Sequence, residues 1–186
     1  MKKMVNIVVS IMIILLLFLP IFIVAVLIKL TSKGPVLYWS DRVGKNNAIF
    51  KMPKFRSMKM GTPAVATNLL TDFKSTLTPV GNLLRKSSLD ELPQLWSIIK
   101  GDMNFIGPRP ALFNQGDLTT LRTEKGVHVL VPGLTGWAQV NGRDELSIPQ
   151  KVALDVEYLH HQSVCMDIKI IWLTFMKVLK KDGISH

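Results

Sequence analysis

Apolar residues run almost unbroken from Met4 to Ile28, with Asn6 and Ser10 the polar interruptions. As one straight helix this run would extend roughly 37 Å, enough for a hydrocarbon core of about 30 Å. Pro20 lies inside it, and an internal proline removes a backbone hydrogen bond and favours a kink. A break there leaves arms of roughly 24 and 12 Å, neither of which spans alone. Lys2 and Lys3 precede the run and Lys29 and Lys33 follow it, so the positive-inside rule selects no orientation. Three readings stay open: a single span, a segment that enters, breaks and returns to the same face, and a cleaved signal sequence. The run's length and the lack of a small-x-small exit argue against the last.

Beyond the run, the pattern predicts a small hairpin. Val36-Leu37-Tyr38-Trp39 after Pro35 reads as a strand, Gly44-Lys45-Asn46-Asn47 as a turn, and Ala48 to Met52 as the return strand. Gly61 to Pro79, rich in Thr, Ala and Pro, predicts a mobile loop. Helical spacing resumes at Val80, Leu83 and Leu84, and again from Leu92 through Ile99, with Gly101 as a stop. Loops are predicted from Gly107 to Arg143, punctuated by Pro and Gly. Two helices close the chain, about Ile148–His161 and about Asp167–Lys181. In the last one Trp172 and Phe175 accompany Lys177, Lys180 and Lys181. That make-up suits a helix lying in a membrane interface, and equally a core helix with a basic C-terminus. Residues 1–30 are read as the membrane segment, and residues 31–186 as one domain continuous with it.

Charge changes the picture. A formal net charge of +10 points to an anionic partner, and the stretch from Thr31 to Thr62 carries seven Lys/Arg against one Asp. The single cysteine, Cys165, excludes an intramolecular disulfide and a Cys-based zinc site. His160 and His161 are adjacent and face different ways, while His128 and His186 stand alone. A hard, oxygen-liganded cation therefore fits the chain better than a transition metal.

The strongest chemical signal is Ser88-Leu-Asp-Glu-Leu-Pro-Gln-Leu95, in which Asp90 and Glu91 adjoin between apolar neighbours. Arg85-Lys86 precedes it, with Lys100 and Gly107-Pro108-Arg109-Pro110 beyond. Ser88-x-x-Glu91 fits a capping box, with Pro93 in the first turn of a helix starting near Asp90. Such a start beside Arg85 also receives anions. Asp is a competent nucleophile toward phosphorus, and Glu91 suits metal binding or base catalysis. Arg109 sits between two prolines on a stiff support, and its guanidinium matches phosphate oxygens. Pro132 to Arg143 mixes glycines with Trp137 and Arg143, a composition able to wrap a nucleotide. It has neither a Walker lysine pattern nor a G-x-G-x-x-G run.

Taken together, these stretches resemble the bacterial monotopic phosphoglycosyl transferases. The matching segments are Lys54 to Met58, Leu84-Arg85, Ser88 to Leu95, Lys100 to Met103, Gly107 to Pro110, Pro132 to Arg143 and Asp155-Val156-x-Tyr158. They lie in the family's order and cover about residues 2–183. The resemblance implies an α+β, mostly helical, small membrane-associated domain. It would have a re-entrant N-terminal helix broken at Pro20, a short β-hairpin and interfacial amphipathic helices. It further implies a bacterial inner-membrane protein, acting at the cytoplasmic face, that transfers a sugar-1-phosphate from a UDP-sugar to polyprenyl phosphate with release of UMP. In that reaction Asp90 is the nucleophile and, with Glu91, a ligand of Mg²⁺. Arg85, Arg109 and Arg143 serve the phosphates, and Asp155 supports that site. N-acetylated amino sugars, bacillosamine-type ones among them, are favoured over galactose or glucose, and a homodimer is compatible with the pattern. The chain departs from the family at Leu19-Pro20, where Ser-Pro is frequent, at Asn6, where an acid is common, and at Pro53, where an aromatic is frequent.

The alternative is a membrane-anchored basic binding or scaffold protein without catalysis. A nucleic-acid partner is not expected, because residues 41–60 interleave only Phe50 and Phe55 with their cations.

Overall fold

The structure, a computed structural model, describes residues 2–63, 65, 73–142 and 145–180. Over these residues the chain is mostly helical with two small two-stranded sheets, an α+β arrangement as expected. Two compact units divide it: residues 1–41 with 51–100, and residues 42–50 with 101–186.

The first unit begins with α1 (Lys2–Leu16) and α2 (Phe18–Thr31), bent by 65° at Leu17. The break therefore falls three residues before Pro20, not at it. A proline ring clashes with the carbonyl four residues back, here that of Leu16, which is where α1 ends. Pro20 itself sits in the first turn of α2, where backbone N–H groups lack intrahelical partners anyway. The arms come out nearly equal, at roughly 22 and 21 Å. Among the described residues no single helix is long and apolar enough to cross a membrane, and the bent pair passes that test only together.

Polarity on α1 is inverted. Ser10 is fully buried and Asn6 only 8% exposed, while Leu15, Leu16, Phe18 and Leu19 stand largely exposed around the bend. The buried side of α1 packs on α4 (Leu95–Lys100). At the far end of α2, Arg56 closes the helix. Its Nη2 donates to the Ser32 carbonyl and hydroxyl at 3.0 and 2.7 Å, and its Nη1 donates to the Lys33 carbonyl. Strands β1 (Leu37–Val43) and β2 (Ile49–Phe55) form the expected hairpin, extended beyond the predicted ends, with Asn46 and Asn47 at positive φ in its turn. Val24, Ile28, Phe55 and Leu84 make the core of this unit, and Leu84 comes from α3 (Gly81–Lys86). Of the expected loop from Gly61 to Pro79, residues 64 and 66–72 lie outside the described residues. Its later part contains a 3-10 turn, Lys74–Thr76.

The second unit departs from the loop prediction. Between Gly107 and Val140 the chain forms α5 (Gly116–Glu124), β4 (Gly133–Thr135) and α6 (Trp137–Val140). β4 pairs in parallel with β3 (Asn104–Ile106), aligning Asn104 with Gly133 and Ile106 with Thr135. The glycines there are packing positions rather than points of flexibility. A Cβ on Gly133 would lie 2.1 Å from the Gly107 nitrogen, and one on Gly136 would lie 2.1 Å from the Gly107 carbonyl. The closing helices are α7 (Ile148–His160) and α8 (Val164–Lys180), close to their predicted bounds. Ile170 and Leu173 of α8 pack on Ile106, Val140 and Tyr158, whereas Trp172 is 61% and Phe175 54% exposed. The face with the aromatics is therefore not a core face.

Candidate active site

Asp90 and Glu91 sit in a 3-10 helix, Leu89–Gln94, that runs directly into α4. Leu89 and Leu92 pack against the core of the first unit, which fixes the two acids between them. The capping box expected at Ser88 does not form. Ser88 takes a left-handed conformation (φ 55°) and makes no side-chain cap, since a capping residue takes extended backbone instead. The turn is closed by backbone instead, with the Glu91 N–H donating to the Ser88 carbonyl at 3.1 Å. A non-glycine residue held in that region costs on the order of 1 kcal/mol, and such positions cluster at functional sites. Asp90 is 7% exposed. Glu91 accepts a 2.9 Å ionic hydrogen bond from Nζ of Lys54 on β2, and both side chains are mostly buried.

Lys54 lay in a segment singled out by sequence, but nothing in its spacing assigned it to Glu91. Arg85 closes α3, which packs on the 3-10 helix, and its guanidinium stands 4.8 Å over the Phe73 ring.

In the second unit, Asp155 of α7 is buried and takes Nε and Nη2 of Arg122 on a single oxygen, at 3.0 and 2.7 Å. Burial pushes its carboxyl above the usual value, and Arg122 and then Lys151 offset part of that rise. Arg122 also donates from Nη1 to the Arg109 carbonyl at 2.8 Å. So Asp155 and the backbone of Arg109 are linked through a residue that sequence reasoning missed. A lone arginine on a polar helix carries no spacing signal. Nearby, burial and a 2.8 Å hydrogen bond to Asp167 push the Tyr158 phenol well up. Arg143, the remaining predicted phosphate ligand, lies outside the described residues.

Among the described residues there is no group of three or more His, Cys, Asp or Glu suited to a closed metal cage. Two adjacent carboxylates, one of them paired with a lysine, do fit Mg²⁺, which keeps several waters and shares its ligands with substrate phosphates. Next to the acids in sequence, Leu92, Pro93 and Trp96 line an apolar cavity of about 540 Å³ with Ile14, Ile21 and Trp39.

Residues 1–181 match a family described as bacterial sugar transferase. The chain is 42% identical over 168 residues to an uncharacterized sugar transferase, EpsL, of Bacillus subtilis (strain 168), covering 89% of this chain and 80% of that protein. It is 40% identical over 167 residues to an undecaprenyl-phosphate glucose phosphotransferase of Komagataeibacter xylinus, covering 83% and 31%. It is 38% identical over 183 residues to a UDP-glucose:undecaprenyl-phosphate glucose-1-phosphate transferase of Escherichia coli (strain K12), covering 95% and 39%. The chain thus spans two fifths or less of the latter two proteins.

Proposed function

Because this chain belongs to the bacterial sugar transferase family, we propose that it transfers a sugar-1-phosphate from a UDP-sugar to polyprenyl phosphate, releasing UMP. The observation that carries this reading is the buried Asp90 beside the Lys54–Glu91 pair, in a chain that matches the family over residues 1–181.

Asp90 acts first. One of its carboxylate oxygens attacks the sugar-bearing phosphorus, the bond from that phosphorus to the bridging oxygen breaks, and UMP leaves with the bridging oxygen. The sugar phosphate is then held as an acyl phosphate on Asp90. A phosphate oxygen of the lipid acceptor next attacks the same phosphorus, and the Asp90 carboxylate departs unchanged, giving polyprenyl diphosphate sugar. Arg85, Arg109 and Arg143 are assigned to the phosphate oxygens, where a guanidinium fork matches their geometry. Lys54 holds Glu91 in place. Asp90 and Glu91 are the residues that hold Mg²⁺, which when bound neutralises charge on the diphosphate.

The bent α1–α2 pair is read as re-entrant: each arm is shorter than the hydrocarbon core, and α1 buries Asn6 and Ser10 while Leu15, Leu16, Phe18 and Leu19 stand exposed around the bend. Both basic ends then lie on the cytoplasmic face of the inner membrane. The exposure of Trp172 and Phe175 supports an interfacial position for α8, and the apolar cavity beside Leu92 and Pro93 is assigned to the isoprenoid chain.

The test is UMP release from purified protein given Mg²⁺, polyprenyl phosphate and a panel of UDP-sugars. The panel spans N-acetylated amino sugars, galactose, and the glucose for which two relatives are named. At least one sugar is expected to release UMP in a lipid-dependent manner, and silence with all of them refutes the reading.

A further inference from the structure

Residues Pro108 to Ala111 form a rail of backbone acceptors, and each of its four carbonyls is bound by a different donor. The Gly133 N–H binds the Pro108 carbonyl at 2.9 Å, Arg122 Nη1 the Arg109 carbonyl at 2.8 Å, Arg42 Nη1 the Pro110 carbonyl at 3.2 Å, and the Val43 N–H the Ala111 carbonyl at 2.9 Å. The two prolines flanking Arg109 fix φ and carry no N–H. With rotation restricted and every carbonyl tied, the point from which the Arg109 side chain departs is set before any ligand arrives.

We propose that Arg122 and Arg42 are positioning residues for Arg109, acting on binding of the donor nucleotide diphosphate only through it. This rests on the reading above that Arg109 meets the donor's phosphates. Arg122 is not itself an anion receptor. Its Nε and Nη2 are held by the buried Asp155 carboxylate, which balances its charge, and its Nη1 is held by the rail. The guanidinium meets the carboxylate and the carbonyl from separate nitrogens held in one plane, whereas a lysine's three donors share a single nitrogen and cannot reproduce that three-point geometry. Arg42 reaches the rail from the end of β1, where its backbone also bridges to Leu112. Pre-organisation of this kind is read out as substrate affinity, since a ligand-binding side chain that must be ordered on binding loses part of its contribution.

The test combines Arg122→Lys and Arg42→Lys with Arg109→Ala, measuring the UDP-sugar KM, kcat and Tm of the full chain. Arg122→Lys and Arg42→Lys are each expected to raise the KM by roughly tenfold in the native background, and by less than about twofold once Arg109 is alanine. If Arg122→Lys does not fold, Arg42→Lys carries the comparison alone. A KM effect that persists undiminished in the Arg109→Ala background assigns the arginines a general structural role and overturns the proposal. So does a lower Tm with an unchanged KM. If Arg109→Ala itself leaves the KM unmoved, the proposal also falls, while UMP release by the native protein keeps the transferase reading standing.

Discussion

Nζ of Lys54 stands 2.9 Å from Oε1 of Glu91, joining strand β2 to the acid that adjoins Asp90. With both side chains mostly buried, the pair belongs between exposed and core ion pairs. Removing its cation leaves a carboxylate short of a partner, at about 1–3 kcal/mol.

Lys54→Met is therefore expected to lower Tm and to cut UMP release at least about tenfold, through loss of Glu91 alignment. In a double-mutant cycle, Lys54→Met should cost little further in a Glu91→Gln background. Full additivity of the two losses contradicts a shared role.

Pro20→Ala restores the N–H that can bond to the Leu16 carbonyl and removes the ring that clashes with it. The two helices should then merge into one of roughly 45 Å, long enough to span. In sealed vesicles, with Cys165 replaced by serine, Lys3→Cys and Lys33→Cys should react with an impermeant maleimide from the same face. After Pro20→Ala they should react from opposite faces. Labelling of both from one face after the substitution refutes this account of the break.

Trp172, exposed on α8, is expected to lie in lipid. Quenching of tryptophan fluorescence by brominated lipids should fall on Trp172→Phe, though Trp39, Trp96 and Trp137 remain. An unchanged quenched fraction argues against an interfacial α8.

Asp155 carries a pH signature. Burial raises its carboxyl above 3.8, so the folded state binds that proton more tightly than the unfolded one. The stability it contributes is greatest below an unfolded pKa of 3.8, and declines as pH rises from there through the folded value. Thermal melts across the acid range should therefore show the native protein losing ground to Asp155→Asn as pH rises. A gain instead would mean that Arg122 outweighs burial.

Much of the fold was legible in the chain, where periodicity is long enough to register. The turn chemistry of Gly44 to Asn47 located the hairpin, and the spacings of α7 and α8 set their ends within a few residues. β3, β4 and α6 are three or four residues long, and α5 has few apolar side chains, so none carries a readable period. Ser88-x-x-Glu91 has the letters of a capping box, but the chain enters it left-handed. Among the described residues a box does form at Ser147, whose N–H donates to Gln150 Oε1 at 2.9 Å. Pro20 announced a break and misplaced it, since a proline acts on the carbonyl four residues earlier. At the site, the adjacent acids were legible as chemistry, whereas Lys54 and Arg122 acquire meaning only through partners more than thirty residues away.

In the proposed first half-reaction Asp90 becomes covalently bonded to the sugar phosphate. Intact mass spectrometry of the protein incubated with Mg²⁺ and its UDP-sugar, without polyprenyl phosphate, tests it most directly. A mass gain of one phosphosugar is expected on the native chain and none on Asp90→Asn. An Asp90→Asn protein that gains the same mass, or releases UMP at the native rate, contradicts it.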